Sequence, residues 1–196
     1  RKIITLILSL TFFNAINAQD SVAVKKFPTQ FTLLYPMGTS GKASKNICYN
    51  LSLNIGYGRT GGVNGVEVSG LIGVNQGVAN GLQVNGLLSI VHKVNGIQVN
   101  GLAGGADAVY GLQVNGLGGV VADFKGIQIN GLLGLTNKFT GVQLSTVNIA
   151  NKVSGLQLGV VNINRETRGL QIGIVNINRD KMDGLPIGLV NIAKYN

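Results

Sequence analysis

From about residue 50 onward, apolar and polar side chains alternate in a short unit that keeps returning. GLQVNGL at 81–87 comes back as GIQVNGL at 96–102, GLQVNGL at 111–117 and GIQINGL at 126–132. It then drifts into GVQLSTV, GLQLGVV, GLQIGIV and GLPIGLV. Aligned on the glycine before the apolar–Gln–apolar step, copies begin at Gly65, Gly81, Gly96, Gly111, Gly126, Gly141, Gly155, Gly169 and Gly184. The successive spacings are 16, 15, 15, 15, 15, 14, 14 and 15. A degenerate copy, NLSLNIGYGRTGGVN, starts near Asn50. A fixed short period over most of a chain marks a solenoid or a repeat array.

One copy, GLQLGVVNINRETR at 155–168, shows the physical content. Leu156 and Leu158 flank Gln157, and alternation of period two predicts a strand with the leucines on one face and the glutamine on the other. Gly159 breaks the step. Val161, Asn162 and Ile163 then repeat apolar–polar–apolar, and Asn164 to Arg168 form a polar bend. In earlier copies the break is Asn-Gly, as at Asn85-Gly86 and Asn115-Gly116, where both residues tolerate positive φ. A third apolar column lies two residues before each leading glycine: Val63, Val94, Val109, Phe124, Phe139, Val153 and Met182, with Ala79 and Thr167 as weaker members.

The prediction is all-β: a repeat β-solenoid of about ten coils of 14–16 residues with an N-terminal cap. Coils would stack ~4.8 Å apart into a rod of roughly 45–50 Å. Burial of leucine is the expected driving force, so the apolar second and fourth positions are placed inside. The ladder of Gln83, Gln98, Gln113, Gln128, Gln143, Gln157 and Gln171 is placed outside. Asn148, Asn162, Asn176 and Asn191 form a second polar ladder, since stacked Asn and Gln amides pair with the layers above and below. The alternative is an antiparallel β-barrel or meander. Asn-Gly is a strong hairpin signal, but the features repeat once per copy rather than every second copy, and there is no Trp to build aromatic girdles.

The flanking sequence divides the chain. RKIITLILSLTFF is a basic start followed by an apolar run too short to span a bilayer as a helix, and NAINAQD supplies a small residue before polar sequence. Residues 1–18 therefore read as a signal peptide, cleaved after Ala18, and the protein as exported. Residues 19–49, rich in Lys and aromatics, read as an N-terminal cap with a strand near Phe31–Leu34 and a loop at 38–46. Residues 50–196 read as the β-repeat domain. Pro186 replaces the glutamine of its copy and suits a last, edge layer, because proline has no N–H to donate.

Composition changes the picture little. Thirty glycines among 196 residues with three prolines suit bends, not collagen. The formal net charge is +9, or +7 without Arg1 and Lys2 of the signal peptide, a balance that suits ordinary solubility or an anionic partner surface, glycan or lipid. Lys138, Lys152, Arg165, Arg168, Arg179 and Lys181 would line up on one edge of stacked coils, as an anion-binding edge or, since Asp180, Asp183 and Glu166 dilute it, a solvated one. Basic residues without interleaved aromatics do not suggest nucleic acid.

Catalytic chemistry finds no foothold in the pattern. His92 is the single histidine and Cys48 the single cysteine, so neither a disulfide nor a His cluster for a metal can form within the chain. The acids, Asp20, Glu67, Asp107, Asp123, Glu166, Asp180 and Asp183, are expected mostly in exposed bends. No cofactor and no enzymatic activity are expected.

The copies GLQLGVVNINRETRGLQIGIVNINRD resemble the short surface repeats of exported bacterial proteins, including a spirochaete surface-repeat family. FTLLYPMGTSGKASKNICYNLSLNIGYG with GGVNGVEVSGLIGVNQG is similar to secreted proteins of Bacteroidota. The resemblance implies an envelope or surface location and assigns no residue a role. The combined expectation is a non-catalytic envelope protein that presents a regular surface for adhesion, scaffolding or partner binding. Self-association through the C-terminal coil is a further expectation, and a small outer-membrane β-barrel the alternative.

Overall fold

The computed structural model describes residues 25–195. The expected signal peptide lies outside the described residues. The chain opens with β1 (Lys25–Leu34) and a two-residue strand, β2 (Met37–Gly38), that turns back antiparallel to it. A 3-10 helix at Gly41–Asn46 then occupies most of the segment expected as a loop. The array follows as β3 (Ile47–Thr60), β4 (Gly62–Ser69), β5 (Ile72–Asn85), β6 (Leu88–Asn100), β7 (Ala103–Asn115) and β8 (Gly118–Asn130). It continues as β9 (Leu133–Leu144), β10 (Val147–Leu158), β11 (Val161–Ile172), β12 (Val175–Ile187) and β13 (Val190–Tyr195).

Each strand from β4 onward pairs in parallel with the next, and the order along the sheet is the order along the chain. Equivalent residues of consecutive copies lie opposite one another: Gly96 against Gly111, Gln98 against Gln113, Val94 against Val109. Such pairs require every copy to run in the same direction, so the chain is a β-solenoid and the antiparallel barrel or meander is set aside. Even β1 joins the stack in parallel, with Gln30 opposite Ser52 and Phe31 opposite Leu53.

The inward-facing residues show the cross-section. Around β6 they are Asn85, Ser89, Val91, Val94, Gln98 and Asn100. Steps of two residues are straight strand. The longer steps, 85 to 89, 91 to 94 and 94 to 98, are corners, so each coil has three sides. Side one runs Gly96–Asn100, side two Leu88–Val91 and side three His92–Asn95. The corner between sides three and one is held by the leading glycines. Their φ lies between 121° and 159°, a region closed to most side chains. A Cβ on Gly111 would stand 2.0 Å from the carbonyl oxygen of Gly96 in the layer before it. The Asn-Gly glycines do not share this conformation, contrary to expectation. They are required by contact instead, since a Cβ on Gly101 would stand 1.9 Å from the oxygen of Gly86.

The polarity of the coil is the reverse of what the leucines suggest. Gln83, Gln98, Gln113, Gln128, Gln143, Gln157 and Gln171 are all buried, so the expected outward ladder runs down the interior. The flanking apolar residues of side one face outward: Ile97 and Ile127 are more than 40% exposed. Burial costs the amides little because each layer satisfies the next. A leucine in the same slot would leave two neighbouring amides unpaired. The third apolar column is inside as expected. Tyr49, Val63, Val94, Val109, Phe124, Phe139, Val153 and Met182 are buried, with the rings of Phe124 and Phe139 stacked at 5.3 Å. The dry part of the core is therefore one corner, and the rest of the interior is a hydrogen-bonded amide column.

Candidate interaction surface

The amide column has a direction. Nε2 of Gln171 donates to Oε1 of Gln157, Gln157 to Gln143, Gln143 to Gln128, Gln128 to Gln113, Gln113 to Gln98 and Gln98 to Gln83, over distances of 2.7–3.3 Å. The series ends where Gln83 donates to Oε2 of Glu67 at 2.6 Å. Glu67 is fully buried, not in a solvated bend, and burial raises its carboxyl pKa to about 7 against the hydrogen bond from Gln83.

A second ladder runs beside the first in the opposite sense. Asn85 donates to Asn100, Asn100 to Asn115 and Asn115 to Asn130, and Asn130 ends on the hydroxyl of Ser145. At that point the asparagine changes sides of the corner between sides one and two. Asn148 donates to Asn162, Asn162 to Asn176 and Asn176 to Asn191, each at 2.8 Å. Of these, Asn148, Asn162 and Asn176 are buried and Asn191 is exposed. The two placements are reciprocal. Where Asn115 fills the corner from side one, side two has Gly119, whose Cβ would stand 2.7 Å from Asn115 Nδ2. Where Asn162 fills it from side two, side one has Gly159, whose Cβ would stand 2.9 Å from Asn162 Oδ1.

With amides inside, the outside of sides one and two is apolar. Five columns face out. Side one contributes Val66 to Leu185 and Val68 to Ile187. The corner contributes Leu71, Leu87, Leu102, Leu117, Leu132, Thr146, Val160, Ile174 and Leu189. Side two contributes Ile72 to Val190 and Val74 to Ile192. No charged residue occurs in any of them. The corner leucines form a ridge, with Leu117 47% and Leu132 55% exposed.

Within these nine layers, apart from Glu67 in the interior, the charged residues are on side three and its borders; in the coil before them Arg59 stands in register with Val74 on side two. On side three the expected basic edge is only partly assembled. Lys138, Lys152, Arg168 and Lys181 line one shallow groove of ≈ 280 Å³ together with Glu166 and Asp183. Lys152 pairs with Glu166 at 2.8 Å and Arg168 with Asp183 at 3.2 Å. Arg165 lies outside the groove and pairs with Asp180 at 2.8 Å, and Arg179 does not line it. The carboxylates offset the positive field of the edge, and such exposed pairs contribute little to stability. On the same side Lys93 and Lys125 flank the ring of Tyr110 at 4.8 and 5.3 Å.

The remaining chemistry-bearing residues do not converge. His92 Nδ1 lies 2.7 Å from Asp107 Oδ2 on the next coil. Cys48 is in β3, whose neighbours do not include β6, and burial pushes its thiol up from its ordinary range. Among the described residues no three His, Cys, Asp or Glu side chains group as metal ligands, and no helix is long and apolar enough to cross a membrane.

Sequence reasoning missed the apolar surface because it assigned those columns to the core. The signal was present in the uniformity of each position. The inward slot is glutamine in seven copies running, while the outward slots exchange Leu, Ile and Val freely. No protein-family model matches the chain, and no curated protein or solved structure matches it.

Proposed function

We propose that the protein is an exported, non-catalytic repeat protein of the bacterial envelope whose role is to present its regular outer columns to a partner surface. The observation that supports this reading is the charge-free apolar exterior of sides one and two, maintained through every copy from Val66 to Ile192. An exterior of this kind exceeds the scattered exposed apolar residues of ordinary soluble proteins and marks a contact site. The solenoid suits the task because each coil adds the same strip of surface at the same spacing. Export rests on the basic-apolar-small order of residues 1–18.

The test is to express the full chain in a Gram-negative host, fractionate the cells and determine the N-terminus of the accumulated protein. The expected result is a chain beginning at Gln19 in an envelope or external fraction. An unprocessed chain that stays in the cytoplasm would overturn the reading.

A further inference from the structure

We infer that the wedge formed by sides one and two seats in the interface of a lipid layer, with the Leu87–Leu132 ridge at its deepest line and side three facing water. This rests on the surface-presenting reading above and names its partner as a membrane surface with anionic headgroups.

Three observations on the wedge select lipid over a protein partner. The first is extent. Nine layers at ~4.8 Å, each with roughly 25 Å of apolar contour at ~3.3 Å per residue, give on the order of 1,000 Å². That is above the roughly 300–600 Å² of the largest patch on a typical monomer. The second is shape. Sides one and two turn away from each other at the ridge, so a second copy laid flat covers one side only. That is about 500 Å² per partner, short of the roughly 800 Å² of a standard interface, and it leaves the other side wet. A fluid apolar phase covers both sides at once. The side lengths also suit the roughly 5–10 Å depth to which amphipathic elements sink at the acyl–headgroup boundary.

The third is charge. The five outward columns contain none, whereas side three carries Lys93, Lys125, Lys138 and Lys181, together with Lys152 and Arg168, whose charge is offset in part by Glu166 and Asp183. Long basic side chains at a lipid boundary lay their stems on apolar surface and direct their heads to phosphate. Without Arg1 and Lys2 the chain keeps 14 basic and 7 acidic residues, and this net charge of +7 has the sign that anionic headgroups attract.

The backbone obstacle that bars open sheets from lipid does not arise here. Amides of β5 to β11 are paired to the coils on both sides, so their outward faces offer side chains rather than unmet N–H and C=O groups, while the last layer, from Gly184 onward, keeps an open edge. The buried Gln ladder is likewise satisfied internally, the Asn ladders pair from layer to layer except at the oxygens of Asn85 and Asn148, and the one hydroxyl on the ridge, Thr146 Oγ1, donates to the carbonyl of Gly131 at 2.7 Å.

The experiment uses the full chain in a Cys48→Ser background with an environment-sensitive fluorophore on Leu117→Cys or, separately, on Lys138→Cys. Each is mixed with phosphatidylcholine vesicles with and without phosphatidylglycerol. Because residues 3–13 are themselves apolar, the reading is taken at the label and not from flotation alone. The expected result is a blue shift at position 117 and none at 138, larger with phosphatidylglycerol and reduced by salt. The triple variant Leu102→Asn, Leu117→Asn, Leu132→Asn, labelled at Leu87→Cys and shown by circular dichroism to keep its strands, is expected to need about tenfold more lipid for the same response.

A label at 117 that stays wet while vesicles float would overturn the inference, and so would a triple variant that responds as the parent does. A blue shift at 117 that grows with protein concentration in the absence of lipid would assign the wedge to a second copy instead. A processed, envelope-located chain whose wedge ignores vesicles would sink this inference and leave the proposed function standing. A cytoplasmic chain would sink the proposed function whatever the vesicles do.

Discussion

Gln83 donates its amide hydrogen to the buried carboxylate of Glu67 at 2.6 Å, and this contact ends a run of seven stacked glutamines. Every amide in the run points its N–H toward Glu67 and its oxygen away, so the aligned dipoles present their positive end to the one acid in the column. The contact favours the ionised form, yet burial wins and the pKa rises to about 7. A carboxyl whose pKa is higher folded than unfolded costs nothing below its unfolded value near 4.5. It costs progressively more as pH climbs to the folded value, and the full amount above it. Glu67→Gln is therefore expected to leave the melting temperature unchanged near pH 4 and to raise it at pH 8. The gain at pH 8 is on the order of 3 kcal/mol. Thermal melts of both chains across that range check it; equal curves at pH 8 would contradict the burial argument.

Gln113 tests the ladder itself. Its amide donates to Gln98 and accepts from Gln128, at 2.7 and 2.9 Å. Gln113→Leu puts a side chain of the expected core type into a buried slot and orphans a donor and an acceptor at once. The expected loss is about 2–4 kcal/mol in a denaturant titration, although the substitution is toward greater hydrophobicity.

Glycine substitutions separate two kinds of position. Gly111→Ala drives a methyl into the carbonyl of Gly96 at a positive φ of 138°, and is expected to cost about 3 kcal/mol or more or to prevent folding. Gly105→Ala, on the outside of side two, meets nothing nearer than the oxygen of Ser89 at 3.9 Å. It is expected to melt within a few degrees of the parent.

The inverted polarity makes an unusual pair of predictions for apolar residues. Phe124 is fully buried and stacked on Phe139, so Phe124→Ala is expected to cost about 3–5 kcal/mol. Ile127, three residues on, is 47% exposed. Ile127→Ser is expected to change stability by about 1 kcal/mol or less. Chemical denaturation of the two variants side by side measures the contrast, and comparable losses would mean that side one is covered in the folded protein.

Much of this was legible in the chain. The spacing of the leading glycines predicted both the coil and its register, since Gly96 does lie against Gly111 and Val94 against Val109. The dry corner from Val63 to Met182 was legible because a position two residues before a turn stays apolar there only if it is kept from water in nearly every copy. The direction of side one was not legible from alternation, because a period of two states only that Gln98 and Ile97 face opposite ways. Hydrophobicity then pointed the wrong way, since an amide that meets identical amides every layer loses little by leaving water. The basic edge was predicted from bend positions, and its dilution by Asp180, Asp183 and Glu166 was legible with it; that these acids pair with Arg165, Arg168 and Lys152 in particular was not.

The reciprocal corner, where asparagine faces a small residue across the bend, divides the stack into two interchangeable dialects that meet once, at Asn130 and Ser145. A duplication of a glutamine-bearing layer in the interior of one dialect keeps both the ladder and the corner relationship, and extends the protein without redesign. A layer copied across the junction would bring two asparagines to one corner or none, a collision or a hole. Length in such a protein is thus free to vary by inheritance, while the seam must stay where it is.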